Sequence, residues 1–408
     1  MSLFARLLIV LAFVLLLEVY VSMRVSHAVK KIPYKPEIIL WLFRAGLIYM
    51  NIFPLLFIIN WAAGAIFGAQ NLIALKSDFI EYFLYLPFLA GLLVIVQAFI
   101  YIFAVDIVSL LMKLFKLWRA GFSPYHNWII ASIFLLSALY VPARIYYDYA
   151  AVEVRHTSLK VKGLNDKLNG LRITFISDMQ ADRYTNGKRL ANYIEKTNAT
   201  NPDLILIAGD FITGPPEYIP EIGRQLKNLK AKYGIYACVG DHDQWAYRRD
   251  PVRSLNEVRA AVEGAGIPLL DNQSIVLNKL GWPVIITAAT NTYSRSITIK
   301  QAGALMNGAS NDGLKIFLVH QPEEEMMKLA ASKGYNLFLA GHTHGGQITL
   351  VFPFIQLTPT LLETSTYIHG DFRFGGMLAV ITRGLGMSIL PIRYNSLPEI
   401  TVIDVEKK

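Results

Sequence analysis

Five short apolar runs in this chain each break off at residues that can hold or move charge. Leu171–Ile176 leads into Ser177-Asp178-Met179-Gln180, Leu204–Ala208 into Gly209-Asp210, and Ile235–Val239 into Gly240-Asp241-His242-Asp243. Ile316–Val319 leads into His320-Gln321-Pro322, and Leu337–Ala340 into Gly341-His342-Thr343-His344. Four of the eight histidines fall in these stretches. One such histidine would be an ordinary core or loop residue. Five run ends that all offer Asp, His or a carboxamide make a donor set for metal ions. Asp178 with Gln180, and His342 with His344, stand two residues apart, which on extended backbone aims both side chains the same way. Glycine ahead of Asp210, Asp241 and His342 permits sharp turns and close approach. Carboxylate, amide and imidazole donors together suit Mn²⁺, Fe or Zn²⁺ better than Ca²⁺ or Mg²⁺ alone.

These ends need elements that bring them to one place. Polar, helix-like segments separate the runs, and the alternation predicts an α/β domain. Continuous apolar runs of this length are buried strands, and in such sheets ligands gather at the strands' carboxyl ends. The single cysteine, Cys238, closes one run and is expected as a buried structural thiol.

The motif series resembles the calcineurin-like metallophosphoesterase superfamily, whose pattern is D-x-H, G-D, G-N-H-D/E, H and G-H-x-H. It is most similar to the membrane-associated, extracytoplasmic bacterial branch. That branch shows Gly-His-Thr-His-Gly-Gly-Gln, here Gly341–Gln347, and an ending seen here in Gly384–Gly386, Leu390–Asn395 and Pro398–Ile400. The resemblance covers about residues 155–405. It implies an α/β sandwich of two mixed sheets flanked by helices, and two divalent metal ions. One ion would be held by Asp178, Gln180, Asp210 and His344. The other would be held by Asp210 as a shared bridge, Asp241, His320 and His342. His242 would protonate the leaving oxygen, oriented by Asp243.

Two positions depart from that pattern. Gln180 stands where the family has His, and Asp241 where it has Asn. The donor set becomes richer in oxygen and more anionic, so Mn²⁺ is expected ahead of Fe or Zn²⁺. The expected activity is hydrolysis of a phosphoester or pyrophosphate bond by a two-metal-activated hydroxide. The alternative is a catalytically decayed membrane sensor that binds metal or phosphate. His369 and Arg383 are candidates for the substrate entrance or for structural roles, Tyr293–Lys300 for a mobile loop over the site, and Asp182 with Arg183 for an ion pair.

The rest of the chain is of another kind. Residues 1–150 hold 11 Lys/Arg and 6 Asp/Glu, against 28 and 24 in residues 151–408, which places a domain boundary near residue 150. Four apolar stretches, about Leu3–Val21, Ala45–Phe67, Phe83–Val105 and Trp128–Ile145, are long enough for a hydrocarbon core of roughly 30 Å. Arg44 and Asp106 are expected at span edges, kept hydrated by snorkelling or pairing. The first loop carries Arg24, Lys30, Lys31 and Lys35, and the third Lys113, Lys116 and Arg119. Basic loops stay cytoplasmic, so four spans place the C-terminal domain outside the cytoplasm. Ser26–Ala28 would also suit signal-peptide cleavage, but that would leave the basic first loop outside. The expected partners are a lipid bilayer and a phosphoester substrate, lipid-linked because of the tether. No basic run marks a nucleic-acid footprint, and no nucleic-acid partner is expected.

Overall fold

The computed structural model describes residues 3–33, 35–67, 77–115, 122–247, 249–278, 280–308, 313–351, 356–358 and 366–408. The chain divides into two units, Met1–Tyr146 and Tyr147–Lys408.

Among the described residues the stretches long and apolar enough to cross a bilayer are Ala12–Lys30, Pro36–Gly64, Asp78–Leu114 and Tyr125–Ala150, of 19, 29, 37 and 26 residues, and the last runs past the end of the first unit at Tyr146. The shortest spans about 28 Å as a helix. Val21, Val25 and Ala28 of the first pack with Ile95, Ala98 and Ile102 of the third, Met50 of the second and Ile130 of the fourth. Alanines at such contacts let helix axes approach where lipid supplies no hydrophobic drive. The third helix runs on through Asp106 to Leu114, so Asp106 lies inside it and not at its edge. A partner on the first helix makes this possible. Arg24 donates to both Asp106 oxygens at 2.7 and 2.5 Å, and Tyr20 Oη donates to Oδ2 at 2.5 Å. A paired carboxylate is far cheaper to hold among apolar helices than a bare one.

The second unit is a helix–sheet–sheet–helix sandwich. Its strands among the described residues are β1 Glu153–Val161, β2 Arg172–Ile176, β3 Leu204–Ile207, β4 Ile235–Cys238 and β5 Leu269–Leu270. There follow β6 Gln273–Leu277, β7 Val284–Ala289, β8 Leu314–Val319, β9 Leu337–Ala340, β10 Leu350–Val351 and β11 Gln356–Leu357. The last three are β12 Gly370–Phe374, β13 Met377–Ile381 and β14 Glu399–Lys407. One six-stranded sheet has the order β1-β14-β2-β3-β4-β5, and the other β12-β13-β9-β8-β7-β6. Both are mixed: β2, β3, β4 and β5 pair in parallel while β14 meets β2 antiparallel, and β7, β8, β9 and β13 pair in parallel between antiparallel β6 and β12.

The two-residue period of a strand divides each apolar run between two cores. Leu204, Leu206, Ile316 and Leu318 face the layer between the sheets. Ile205 and Ile207 face outward onto the helices Gly187–Ala199, Ile219–Leu226 and Pro251–Glu263. Phe317 and Val319 face Met306, Met326, Met327 and Ala330 of the helices Ile299–Asn307 and Glu324–Ser332. Apolar residues on both faces are why these runs read as continuous. Cys238 is buried and free, and burial raises its thiol far above the ordinary range. It is inert packing.

Candidate metal centre

The carboxyl ends of β2, β3, β4, β8 and β9 meet at one place, and the loops that leave them are unusual in backbone. Asp178, Gln180, Asp210, His342 and His344 have φ of +53°, +49°, +57°, +70° and +51°. The paired donors therefore converge through left-handed turns and not through extended backbone, which corrects the expectation from their spacing. Non-glycine residues in that region cost about 1–3 kcal/mol each and gather where function over-determines them. The glycines allow backbones to touch: a Cβ on Gly240 would overlap the Asp210 amide, and one on Gly341 would overlap Ser177 Oγ.

All seven ligand-type residues come together there. His320 Nε2 lies 3.3 Å from Asp210 Oδ2 and 3.3 Å from Asp241 Oδ2. His342 Nδ1 is 3.0 Å from Asp241 Oδ2, and His344 Nε2 is 3.6 Å from Asp178 Oδ1. Ligand atoms of Asp178, Asp210 and His320 fall within 4.8 Å of one another, as do those of Asp241, His320 and His342. His320 thus stands between the two groups.

Several of these atoms have no hydrogen-bond partner. Gln180 Oε1, His320 Nε2 and His344 Nε2 are buried without one. An orphaned buried acceptor costs roughly 1–3 kcal/mol, so its persistence calls for an explanation. His320 Nδ1 contacts the Ala208 carbonyl at 2.6 Å; a carbonyl only accepts, so Nδ1 carries the proton and the Nε2 lone pair points into the cluster. His344 Nδ1 lies 3.2 Å from Arg393 Nη2, whose hydrogens have nearer acceptors in the carbonyls of Gly386 and Arg383. Burial and then the Arg393 charge hold His344 well below its usual range, hence neutral. Burial opposes a charge on His320, yet Asp210 beside it raises its pKa well above the ordinary value, and a bound cation would take that proton's place. Three orphaned donors among three carboxylates fit divalent ions.

The two departures from the family pattern have local explanations. The Asp241 carboxylate accepts from Gln321 Nε2 at 2.8 and 3.1 Å and from the Tyr293 amide at 2.6 Å. Burial would raise its pKa, but the His320 and His342 rings beside it hold it below the usual carboxylate range. The extra charge is accommodated. Gln180 Nε2 donates to Asp210 Oδ2 at 2.8 Å, leaving Oε1 as its free donor atom.

Asp243 does not orient His242. Its carboxylate accepts from the amides of Gly240 at 2.8 Å, Phe211 at 2.8 Å and Asp210 at 3.1 Å, which locks the two loops together. Burial first, and then the Asp210 charge, push it up to about 7. His242 is instead held through Nδ1 by the Thr213 carbonyl, and its Nε2 lies 3.0 Å from Ser388 Oγ. His369 and Arg383 are structural: both bind Glu399, at 2.9 and 2.8 Å. Asp182 accepts from the amides of Tyr184 and Thr185 and from Thr213 Oγ1, the bonds that close its loop. The Tyr293–Lys300 segment is pinned, by Arg295 on Asp271 at 2.6 Å and by a capping box of Thr298 and Gln301, though Tyr293 does reach the site.

Residues 171–346 match the calcineurin-like phosphoesterase family model. The matched segment is a calcineurin-like phosphoesterase domain. The match runs from β2 to the loop after His344, so it holds all seven ligand-type residues, while Arg393 and Glu399 lie beyond it. A metallophosphoesterase of Caenorhabditis elegans is 28% identical over 249 residues, 58% of this chain and 50% of that protein. The metallophosphoesterase YkuE of Bacillus subtilis is 28% identical over 267 residues, 64% of this chain and 88% of its own length. A Danio rerio "transmembrane protein with metallophosphoesterase domain" is 26% identical over 260 residues, 62% and 56% of the two chains. The chain spans about half the length of the worm and fish relatives it matches.

The residues that sequence alone did not single out are Gln321, Ser388 and Arg393. Gln321 adjoins a ligand-type histidine, which was its only signal. Arg393 is fully buried and donates to the carbonyls of Arg383, Gly384, Gly386, His344 and Ser396. It fastens the loop of His344 to the chain's last segment. Burial lowers its pKa to about 10, leaving it charged at neutral pH.

Proposed function

We propose that this chain is a membrane-anchored, metal-dependent phosphoesterase. The reading rests on one observation: Gln180 Oε1, His320 Nε2 and His344 Nε2 are buried and partnerless, on side chains that lie against Asp178, Asp210 and Asp241. Asp178, Gln180, Asp210 and His344 would hold one divalent ion, and Asp210, Asp241, His320 and His342 a second, with Mn²⁺ favoured by the oxygen-rich set. When bound, such a pair supplies an activated water and stabilises charge on the phosphoryl oxygens. The chain itself does the rest. His342 and Asp241 line the same cavity as His242. With Nδ1 committed to Thr213, His242 Nε2 is the atom that carries a proton to the leaving oxygen, and Ser388 Oγ marks where that oxygen sits.

The purified full chain should hydrolyse phosphoesters with Mn²⁺, stop in chelator and recover on re-addition. In the same assay His242→Ala should lose roughly 10²–10⁴-fold on alkyl esters and far less on aryl esters, whose leaving groups need no proton. Turnover unaffected by chelator would sink the metal centre, and equal losses would remove the acid role. The bond between Gln180 Nε2 and Asp210 Oδ2 favours a second reading, a metal- or phosphate-binding protein without turnover. It stands if metal binds and no phosphoester is cleaved.

The domain faces away from the cytoplasm and acts on a lipid-linked phosphoester or pyrophosphate, a reading supported by Lys31 and Lys35 after the first helix, by Lys116 and Arg119 in the third loop of the sequence, and by the tether. A reporter active only outside the cytoplasm, fused after residue 160, should be active. Activity from a cytoplasm-only reporter at that position would reverse the topology.

A further inference from the structure

The cavity that holds the Asp and His donors has a second character at its mouth. It encloses about 350 Å³, and the same cavity that reaches Asp210, Asp241 and His342 is lined by Trp245, Tyr293, Ile348, Ile389 and Leu390. Trp245 lies 4.2 Å from the His242 ring, centroid to centroid, and is nearly parallel to Tyr293, at 15° and 6.4 Å. Tyr293 stands edge-on to His342 at 5.5 Å. These apolar groups are not buried: Trp245 is 37%, Tyr293 63% and Ile389 88% exposed.

Ile389 is the informative residue. Its φ is +64°, a region where a β-branched side chain is a genuine outlier. Glycine or asparagine would sit there at lower cost. The conformation is imposed from both sides. Gln347 Nε2 donates to the Ser388 carbonyl at 2.9 Å and to the Leu390 carbonyl at 2.8 Å, and the Ser388 amide donates to Gln347 Oε1 at 2.7 Å. One carboxamide thus clamps the loop and holds an isoleucine out in water, beside the histidine that faces the leaving oxygen. Strain of this kind, observed at the mouth of a polar cavity, points to contact with a ligand.

We propose that Trp245, Tyr293, Ile348, Ile389 and Leu390 form an apolar collar that binds a long hydrocarbon chain attached close to the substrate's phosphorus. The inference rests on the phosphoesterase reading for the position of the phosphate. The single cavity then sorts the substrate: its anionic end meets the Asp and His donors, and its first methylenes lie against the collar. Each fully buried methylene is worth about fourfold in affinity.

The test uses the full chain in lipid nanodiscs with Mn²⁺, and two probes that differ only in chain length, 4-nitrophenyl ethyl phosphate and 4-nitrophenyl octyl phosphate. Binding of ethylphosphonate and octylphosphonate is followed in parallel by titration calorimetry, with empty nanodiscs as the blank. The collar predicts a kcat/KM ratio, octyl over ethyl, of at least roughly 30, from six added methylenes in part covered. It predicts that this ratio falls at least about fivefold in Ile389→Gly and in Ile389→Asn, substitutions that relieve the backbone and so keep the fold. A wild-type ratio near one, or a ratio unmoved by both variants, overturns the collar. If neither ester is cleaved but octylphosphonate is preferred in an Ile389-dependent way, the collar stands and hydrolysis falls. If neither is cleaved and the phosphonates bind alike, the collar is overturned on its own readout.

Discussion

Asp210→Asn should leave a folded protein with almost no turnover, a loss on the order of 10³-fold or more, beyond the 10–100-fold typical of removing an outer-shell partner. Three properties of Asp210 set this expectation. Its Oδ2 lies 3.3 Å from His320, and it is the carboxylate shared between the two proposed ligand sets. Its Oδ1 accepts the His242 amide at 2.8 Å, so it also fixes the loop that carries the proposed acid. Burial opposes its charge, yet His320 and His242 hold its pKa below the ordinary value, and it enters the site ionised. The asparagine is nearly isosteric and keeps one acceptor oxygen, so the fold should survive while the shared negative charge is gone. Metal content should drop from two equivalents toward one or none by elemental analysis. Wild-type turnover in the variant, with two ions bound, would show that the centre does not depend on Asp210.

Glu399→Ala should cost the second unit about 3 kcal/mol, seen as a fall in Tm of roughly 6–12 °C. Glu399 is fully buried at the start of β14, and both its oxygens are used. Oε1 accepts from Arg155 Nε at 3.0 Å and Thr401 Oγ1 at 2.7 Å, and Oε2 from Arg383 Nε at 2.8 Å and His369 Nε2 at 2.9 Å. Arg155 stands on β1, His369 leads into β12 and Arg383 follows β13, so one carboxylate ties the edges of both sheets. Removing it strips a buried negative charge from two guanidinium groups whose side chains are only 18% and 15% exposed. Asp371 and Glu153 still hold part of each arginine, which keeps the figure at the low end for broken buried pairs.

The pH dependence has a definite sign. Burial raises the Glu399 pKa, but the bond and charge from His369, with Arg155 and Arg383, hold it well below the ordinary 4.5 of a glutamate. A depressed folded-state pKa gives stability that is fully present above about pH 4.5 and lost as pH falls toward the folded value. The gap in Tm between wild type and Glu399→Gln should therefore be constant above that pH and narrow below it. A Tm unchanged by either substitution would show the network to be dispensable.

Much of this was written in the sequence. Five strand ends were legible because residues such as Ile205 and Phe317 are apolar on both faces, which only a strand covered on both sides requires. The ligand-type residues were legible because each follows such a strand within four positions. What was not legible depended on pairing at a distance. Asp243 beside His242 offers two roles, and the choice was made by the amides of Asp210 and Phe211, brought up by the contact of Gly209 with Gly240. His369 and Arg383 carry functional groups suited to phosphate, but their partner Glu399 is known only once β14 lies beside β1. Left-handed φ at Asp178 or His344 cannot be told from residue type, since Asp and His visit that region more than most residues but lie elsewhere far more often. The end of the third span was misplaced because Asp106 has its partner, Arg24, on another helix.

The order β1-β14-β2 has a consequence for biosynthesis. β14 is the wedge between the first two strands of its sheet, so that sheet cannot close until β14 has left the ribosome. Synthesis at about 5–20 residues per second leaves β1 and β2 waiting some tens of seconds with bare edges, open to wrong partners. Neither Glu399 nor Arg393 has emerged during that wait, so the loop of His344 cannot yet be fastened. A nascent chain should therefore take up its metal ions only once β14 has emerged, and a chain shortened before Arg393 should be recognised by quality-control proteases even though every ligand-type residue is present.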